Sequence, residues 1–121
     1  MSELKPEIHE KKWGREEWII NHSKYCLKFL YFEKDRSFSM HFHKDKEETW
    51  TVDEGIFLFK YIDTKDATHH ERIIKKGDII HIVPLLPHQL ICIEKGRIIE
   101  VSTYHSEEDS YRILPGDSQK L

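Results

Sequence analysis

The 121-residue sequence contains few of the features that mark disulfide-rich, membrane or secreted proteins. It contains two cysteines, too few for a disulfide framework, and only five glycines and four prolines. No apolar run approaches the roughly 20 residues that span a membrane. The charged residues 1–12 do not resemble a signal peptide. Cys26 and Cys92 lie in apolar runs, so we expect buried thiols, with a single bridge as the alternative. These features predict a cytoplasmic protein that does not bind membranes.

An excess of positive charge is also absent. The chain has 19 Lys and Arg against 22 Asp and Glu, for a net charge of −3 and a pI near 6.3. No basic stripe is present, so nucleic acid is not expected as a partner. The composition, 38% hydrophobic and 34% charged, is that of an ordinary globular domain. The sequence predicts a charged arm over residues 1–12 and a single domain over 13–121.

Short apolar runs rich in Ile, Val, Phe, Tyr and Trp fill that domain. They cover residues 17–20, 25–32, 38–43, 49–52, 56–62, 71–74, 79–83, 89–93 and 98–103. Polar breaks with Gly, Pro, Asp or Lys separate them, a pattern typical of an all-β sandwich or barrel. No run has helical periodicity, and only residues 106–110 suggest a short turn, with Ser106 as its cap.

Histidines at alternate positions indicate a binding site. His41 and His43 point to the same face of a strand, because side chains alternate between the two faces. Glu48 follows closely, and His88 lies far downstream after a proline. Three imidazoles and one carboxylate suit a divalent first-row transition metal. We therefore predict His41, His43, Glu48 and His88 as metal ligands.

Glu48 is chosen over its neighbour Glu47 because six residues separate Glu48 from Gly55, and because of the strand face on which Glu48 lies. Glu48 shares a strand face with Trp50 and Val52, which suit an interior face. His81 is predicted to be a hydrogen-bonded core histidine, or a group that supports the ligands from behind.

The strand that carries the histidines also suggests an oligomer. Its opposite face would present Phe38, Met40 and Phe42. If the histidines face the barrel interior, this apolar face points outward and must be covered. The N-terminal strands or a second subunit could cover it, and we predict a homodimer.

Written as His41-x-His43-x4-Glu48-x6-Gly55 and Gly77-x6-Pro84-x3-His88, the spacing resembles the two motifs of the cupin superfamily. That resemblance implies an all-β cupin jelly roll, a double-stranded β-helix barrel. It also implies a divalent metal at the four ligands. Zinc is favoured, with manganese, iron or nickel as alternatives.

A closer resemblance, over residues 12–112, is to the type II mannose-6-phosphate isomerase cupin. It is carried by Trp13-Gly14, the segment 24–28, Ser39, the His41/His43 pair, Trp50 and the segments 99–102 and 106–112. The family's three adjacent histidines are His-Phe-His here. The resemblance implies aldose–ketose isomerisation of a phosphorylated hexose, with a small anionic or sugar-like ligand. Glu100 would act as acid or base, or as a carboxylate that supports a metal ligand from behind. Arg112 and Lys28 would bind the phosphate or the developing oxyanion.

Each of these roles has an alternative. Glu100 would otherwise pair with Lys28 or an arginine, and Arg112 would neutralise the acidic residues 107–109. Three histidines and a glutamate around a redox-capable metal also suit a dioxygenase. A non-catalytic cupin that only binds a small molecule would need the same pocket.

Overall fold

The computed structural model, which describes residues 1–120, is built from nine β-strands and two short 3-10 helices. The strands are β1 (Glu7–Lys11), β2 (Gly14–Asn21), β3 (Cys26–Phe32), β4 (Met40–Phe42), β5 (Glu48–Asp63), β6 (Thr68–Lys75), β7 (Ile79–Ile82), β8 (His88–Ser102) and β9 (Tyr111–Leu114). The helices are η1 (Glu107–Asp109) and η2 (Asp117–Gln119). Neither they nor any other helix of residues 1–120 has the length and apolar character to cross a bilayer.

Two long strands, β5 and β8, pass through both halves of a curled antiparallel sheet. The C-terminal half of β8 pairs with β3 and with the N-terminal half of β5, which also pairs with β7. The N-terminal half of β8 pairs with β4 and with the other half of β5, which also pairs with β6. Strands β1 and β2 extend the first half, and β9 extends the second. This curled sheet confirms the predicted all-β jelly roll.

The long strands bend where the sequence predicted breaks between separate strands. Gly55 has a φ of +91°, and a Cβ there would meet the backbone of residues 94–96. Gly96 in turn lies against the backbone of Glu54. Only glycine permits this close approach. Runs 49–52 and 56–62 are therefore one strand, β5, and runs 89–93 and 98–103 are β8.

The predicted N-terminal arm is partly a strand. Residues 7–11 form β1, which pairs with β2 through a turn at Trp13. Trp13 is 3% exposed and stacks on Phe32, so it anchors the turn in the core. Most side chains of β1 are charged, so a search for apolar runs does not find this strand. Charged side chains suit the edge of a sheet, because they discourage pairing with other chains.

Side chains from both halves of the sheet fill the barrel. The core consists of Trp13, Leu30, Phe32, Phe38, Trp50, Val52, Phe57, Phe59, Ile74, Ile80, Ile82, Leu90, Cys92 and Ile98. The two cysteines are buried free thiols. Burial alternates strictly along β3, as the period of a strand requires. A cavity with a charged lining lies beside Trp50.

The prediction that Phe38 shares an outer face with Met40 and Phe42 is wrong. The register shifts between Met40 and His41, and β4 begins only at Met40. Phe38 therefore turns inward, and its ring lies 5.0 Å from that of His41. Met40 is buried, and Phe42 stacks on Tyr111 of β9. The homodimer stays a prediction, but the exposed apolar face from which we predicted it is not present in residues 38–42.

Candidate metal centre

Three histidines converge beside the cavity, and two of them, His41 and His43, line it. His41 lies on β4, His43 directly follows that strand, and His88 begins β8 opposite His41. One ring nitrogen from each lies within 4.8 Å of the other two. Glu48, the first residue of β5, brings its Oε2 to 3.5 Å from His43 Nε2 and 3.8 Å from His88 Nε2. The structure thus brings all four predicted ligands together.

Backbone carbonyls fix the orientation of each ring. The Nδ1 atoms of His41, His43 and His88 lie 2.8, 2.6 and 2.8 Å from the carbonyl oxygens of Ser39, Asp109 and Leu86, in that order. A carbonyl oxygen can only accept, so each Nδ1 carries the hydrogen. Each Nε2 is then a free acceptor, which is the arrangement that metal-binding histidines adopt.

Burial sets the charge of these ligands. Desolvation lowers the pKa of His41 and of His43, and lowers the pKa of His88 to about 3, so all three rings are neutral. Desolvation also raises the pKa of Glu48 to about 8, against the opposing charge of Lys46. Neutral imidazoles are ready to bind a cation, whereas Glu48 must first lose a proton.

Two buried atoms of the group have no hydrogen-bond partner. Glu48 Oε1 accepts a hydrogen bond of 2.7 Å from the Trp50 indole, but Glu48 Oε2 and His88 Nε2 accept none. Leaving such an atom unpaired costs about 1–3 kcal/mol. A cation between these atoms would pair both of them at once, so the residues present fit a divalent metal.

Glu47 lies outside this group. Its carboxylate pairs with His81 Nε2 at 2.6 Å, and both side chains are half exposed. His81 is therefore neither a core histidine nor a support for the ligands, contrary to both expectations. It lies on β7, where the exposed and buried sides alternate, and it occupies the exposed side.

A buried ion pair lies beside the metal ligands. Lys46 Nζ is 2.8 Å from Glu100 Oε2 and donates to His105 Nδ1 at 3.1 Å. Burial alone would raise the pKa of Glu100, but Lys46 and then Lys28 outweigh it and hold that pKa well below its usual range. Glu100 is thus an ionised carboxylate whose partner is Lys46. Lys46 lies in the loop before β5, so its partner is set by the fold rather than by a sequence pattern.

Lys28 has its own partners. Its Nζ lies 3.6 Å from Glu16 Oε1 and 4.1 Å above the centre of the Trp18 ring. A carboxylate and an aromatic face both stabilise an ammonium group. Lys28 is 2% exposed, so its ammonium group is a fixed positive charge in the wall of the cavity rather than a mobile side chain in solvent.

Asp109 organises the loop between the ligands, a role that the sequence did not reveal. Its carboxylate accepts backbone N–H bonds from Lys44, Asp45 and Lys46 at 2.8, 3.1 and 3.0 Å. Its carbonyl oxygen accepts the bond from His43 Nδ1. One residue thus holds both the His43 ring and the loop that leads to Glu48.

Replacing Asp109 by alanine should loosen this loop. Three backbone donors would lose their acceptor, and we expect a loss of about 1–3 kcal/mol in unfolding free energy. Metal affinity should fall roughly 10-fold, because an outer group that orients a ligand would be displaced. Denaturant unfolding and competition with a metal indicator measure the two effects. Glu108→Ala, at an exposed neighbour, is the control, and equal behaviour of both variants would contradict the role of Asp109.

The cavity beyond the histidines has a volume of about 100 Å³ and mixed charge. Its lining contains the cations Lys11, Lys28, Lys46 and Arg112 and the carboxylates Glu16, Glu48, Glu100 and Glu107. Arg112 lies on β9, opposite His41 of β4. Its side chain is exposed and makes no ion pair within residues 1–120. Its guanidinium is therefore not neutralised by residues 107–109: Glu107 instead pairs with His105 at 3.3 Å.

No protein-family model matches the chain, and no curated protein matches it. Solved structures match over most of it. Oxalate decarboxylase from Bacillus subtilis superposes with a TM-score of 0.80 at 16% identity, over 89% of this chain and 30% of that one. The capsular polysaccharide assembling protein CapF from Staphylococcus aureus superposes with a TM-score of 0.77 at 12% identity, over 93% of this chain and 33% of that one.

This chain thus spans about a third of the length of the structures that it matches. At such low identity the likeness shows the fold, which is that of a cupin. Mn(II) centres are described for the oxalate decarboxylase. A cupin fold with a three-histidine group supports the binding of a divalent metal here.

Proposed function

We propose that this cupin is a metal-dependent protein that binds a small anionic, sugar-like ligand and moves a proton within it, as in aldose–ketose isomerisation. The proposed metal ligands are His41, His43, Glu48 and His88. One observation carries the proposal: three oriented Nε2 atoms and the unpaired Glu48 Oε2 face one another in a buried site that opens into a charged cavity.

The metal would be a divalent first-row ion. Three imidazoles and one carboxylate accept zinc, manganese, iron or nickel. The sequence favours zinc, and the Mn(II) centres of the oxalate decarboxylase support manganese as an equal candidate. When bound, the metal would polarise a carbonyl or hydroxyl oxygen of the ligand as a Lewis acid.

The charge of the cavity favours an anionic ligand. The four cations and four carboxylates of the lining balance one another, so a divalent cation would make the loaded cavity positive. The unpaired guanidinium of Arg112 adds a donor suited to phosphate or carboxylate. CapF, a structural neighbour, is a capsular polysaccharide assembling protein, which is in keeping with a ligand related to sugars.

Glu100 is our candidate for the proton acceptor. It is an ionised carboxylate that lines the cavity and is not one of the four metal ligands. Lys46 would neutralise Glu100 and hold it in place, and Lys28 would assist from the wall. Arg112 would bind the anionic group of the ligand. A base placed beside a polarised carbonyl can move a proton between adjacent carbons.

NMR in D2O tests this reaction. Manganese- or zinc-loaded protein would be incubated with mannose 6-phosphate or fructose 6-phosphate. The exchange of the C2 hydrogen of the first sugar, or of the C1 hydrogen of the second, for deuterium would be recorded. We expect exchange with the wild type, a loss of about 100-fold or more in Glu100→Gln, and no loss in Glu47→Gln. Full exchange by Glu100→Gln would contradict the role of Glu100, and no exchange with any loaded protein would contradict the isomerase.

A second candidate function is binding without turnover. The ion pair that holds the pKa of Glu100 low makes it a weak base, which favours this alternative. It predicts that the same phosphosugars raise the melting temperature of the loaded protein while no hydrogen exchanges.

Metal binding should release a proton at neutral pH. With a pKa of about 8, Glu48 is mostly protonated at pH 7 and must ionise to become a ligand, whereas the histidines are already neutral. We expect roughly one proton released per metal at pH 7 and roughly a tenth of that at pH 9. Calorimetry in buffers of different ionisation enthalpy measures this number. Glu48→Gln should release none, and release of two or more protons at pH 7 would contradict neutral histidines.

A further inference from the structure

The segment after β9, residues 115–120, packs across one side of the cavity. We call it the C-terminal turn; it contains η2 (Asp117–Gln119). Ser118 and Gln119 line the same cavity as the metal ligands. Their position gives this turn contact with whatever enters the site, although it contains none of the predicted ligands.

Hydrogen bonds anchor the turn at two places. Asp117 Oδ2 accepts the Ser37 backbone N–H at 2.8 Å, and the Asp117 N–H donates to the Ser37 carbonyl at 3.0 Å. On the other side, the Lys12 backbone N–H donates to Ser118 Oγ at 3.2 Å. The turn therefore joins the start of the β4 segment to the β1–β2 turn and closes the space between them.

Gly116 allows the turn to lie close to the barrel. A Cβ at this position would overlap the backbone of Phe38 and Ser39. Both residues lie just before the histidine strand. Any side chain at position 116 would therefore push the turn away from the cavity.

The turn offers neutral hydrogen-bond donors to the cavity. The Gly116 N–H donates to Gln119 Oε1 at 2.9 Å, which fixes the amide oxygen on that side. Gln119 is exposed, and its amide NH2 has no protein partner in residues 1–120. Ser118 Oγ accepts from Lys12, so its hydroxyl hydrogen is free to donate. Glu16 and Glu107, elsewhere in the lining, are acceptors. A ligand hydroxyl, which both donates and accepts, would find partners of both kinds.

We propose that the C-terminal turn is the selectivity wall of this cavity: it limits which molecules reach the metal site, and Gln119 admits oxygen-rich anions by donating to them. The inference rests on the proposed metal site and adds the residues that control access to it. It assigns the turn no part in holding the metal.

Hydrogen exchange in metal-free protein tests whether the C-terminal turn is held against the barrel by its hydrogen bonds to Lys12 and Ser37. A chain that stops after Leu114 and a Gly116→Ala variant should both lose protection at the Lys12 and Ser37 amides. Thr64→Ala, in the exposed β5–β6 turn, is the control. Unchanged protection at both amides in the two wall variants would overturn the proposal without touching the metal site.

Metal extraction tests the control of access. Manganese-loaded protein would be mixed with pyridine-2,6-dicarboxylate, an anionic chelator, and the rate of metal loss recorded. We expect the wall variants to bind manganese as the wild type does and to release it at least 10-fold faster, while Thr64→Ala matches the wild type. Equal rates in all proteins would overturn the wall, whereas a wild type that binds no manganese would overturn the proposed function instead.

The role of Gln119 has a sharper variant. Gln119→Glu keeps the oxygen that caps Gly116 and replaces the donor NH2 by a negative oxygen. We expect the anionic chelator to extract manganese several-fold more slowly from this variant. Thr64→Glu, in the exposed β5–β6 turn, adds the same charge far away and should have no effect. Equal rates for the two variants would overturn the role of Gln119.

Discussion

His88→Ala is expected to lower metal affinity by about 100-fold or more and to reduce the bound metal well below that of the wild type. His88 is 1% exposed, and its Nε2 has no hydrogen-bond partner, so no neighbouring group could replace the ligand atom that this ring would supply. Elemental analysis of the two proteins, purified in parallel, measures the difference.

His81→Ala is the matched control for this experiment. His81 is seven residues before His88, yet it faces outward and pairs with Glu47. We expect its metal content to equal that of the wild type. Undiminished metal in His88→Ala would remove His88 from the site, and equal loss in both variants would indicate that any histidine change disturbs the fold.

Lys46→Met is expected to destabilise the fold by about 3–5 kcal/mol, because it leaves Glu100 as a buried charge without its partner. Both side chains are almost fully buried and lie 2.8 Å apart. Methionine keeps the length of the lysine stem, so the effect reports the charge rather than a cavity. Denaturant unfolding of the metal-free protein measures the free energy.

The double variant Lys46→Met/Glu100→Gln separates charge from packing. Removing both charges should recover more than half of the loss, because the buried charge that carries the penalty is gone. Lys44→Met, at an exposed lysine of the same loop, should change stability by less than about 0.5 kcal/mol. A double variant as unstable as Lys46→Met would contradict the ion pair as the cause.

The fold was predictable because strand periodicity survives in a single sequence. Alternating apolar residues marked the inner strands, and the same alternation placed His41 and His43 on one face. The strand β1 was missed because an edge strand needs no apolar face. The bends at Gly55 and Gly96 looked like breaks, since a sequence pattern does not distinguish a bent strand from two strands.

Residues of the site were predictable only where the residue type and its spacing in the sequence are enough to indicate a metal ligand. The four predicted ligands, which the fold brings together, were identified in this way. Lys46 and Asp109 were not, because their roles depend on what the folded chain brings to them: a carboxylate from β8 for Lys46, and three loop amides for Asp109. Gln119 lies 71 residues beyond Glu48, and only the docked C-terminal turn places it in the cavity.

An anomalous difference map from a crystal soaked in manganese or zinc tests the central claim most directly. The account predicts a single strong peak, roughly 2.0–2.3 Å from the Nε2 atoms of His41, His43 and His88 and from a carboxylate oxygen of Glu48. No peak at this position, or a peak held by Glu47 and His81 instead, would contradict it.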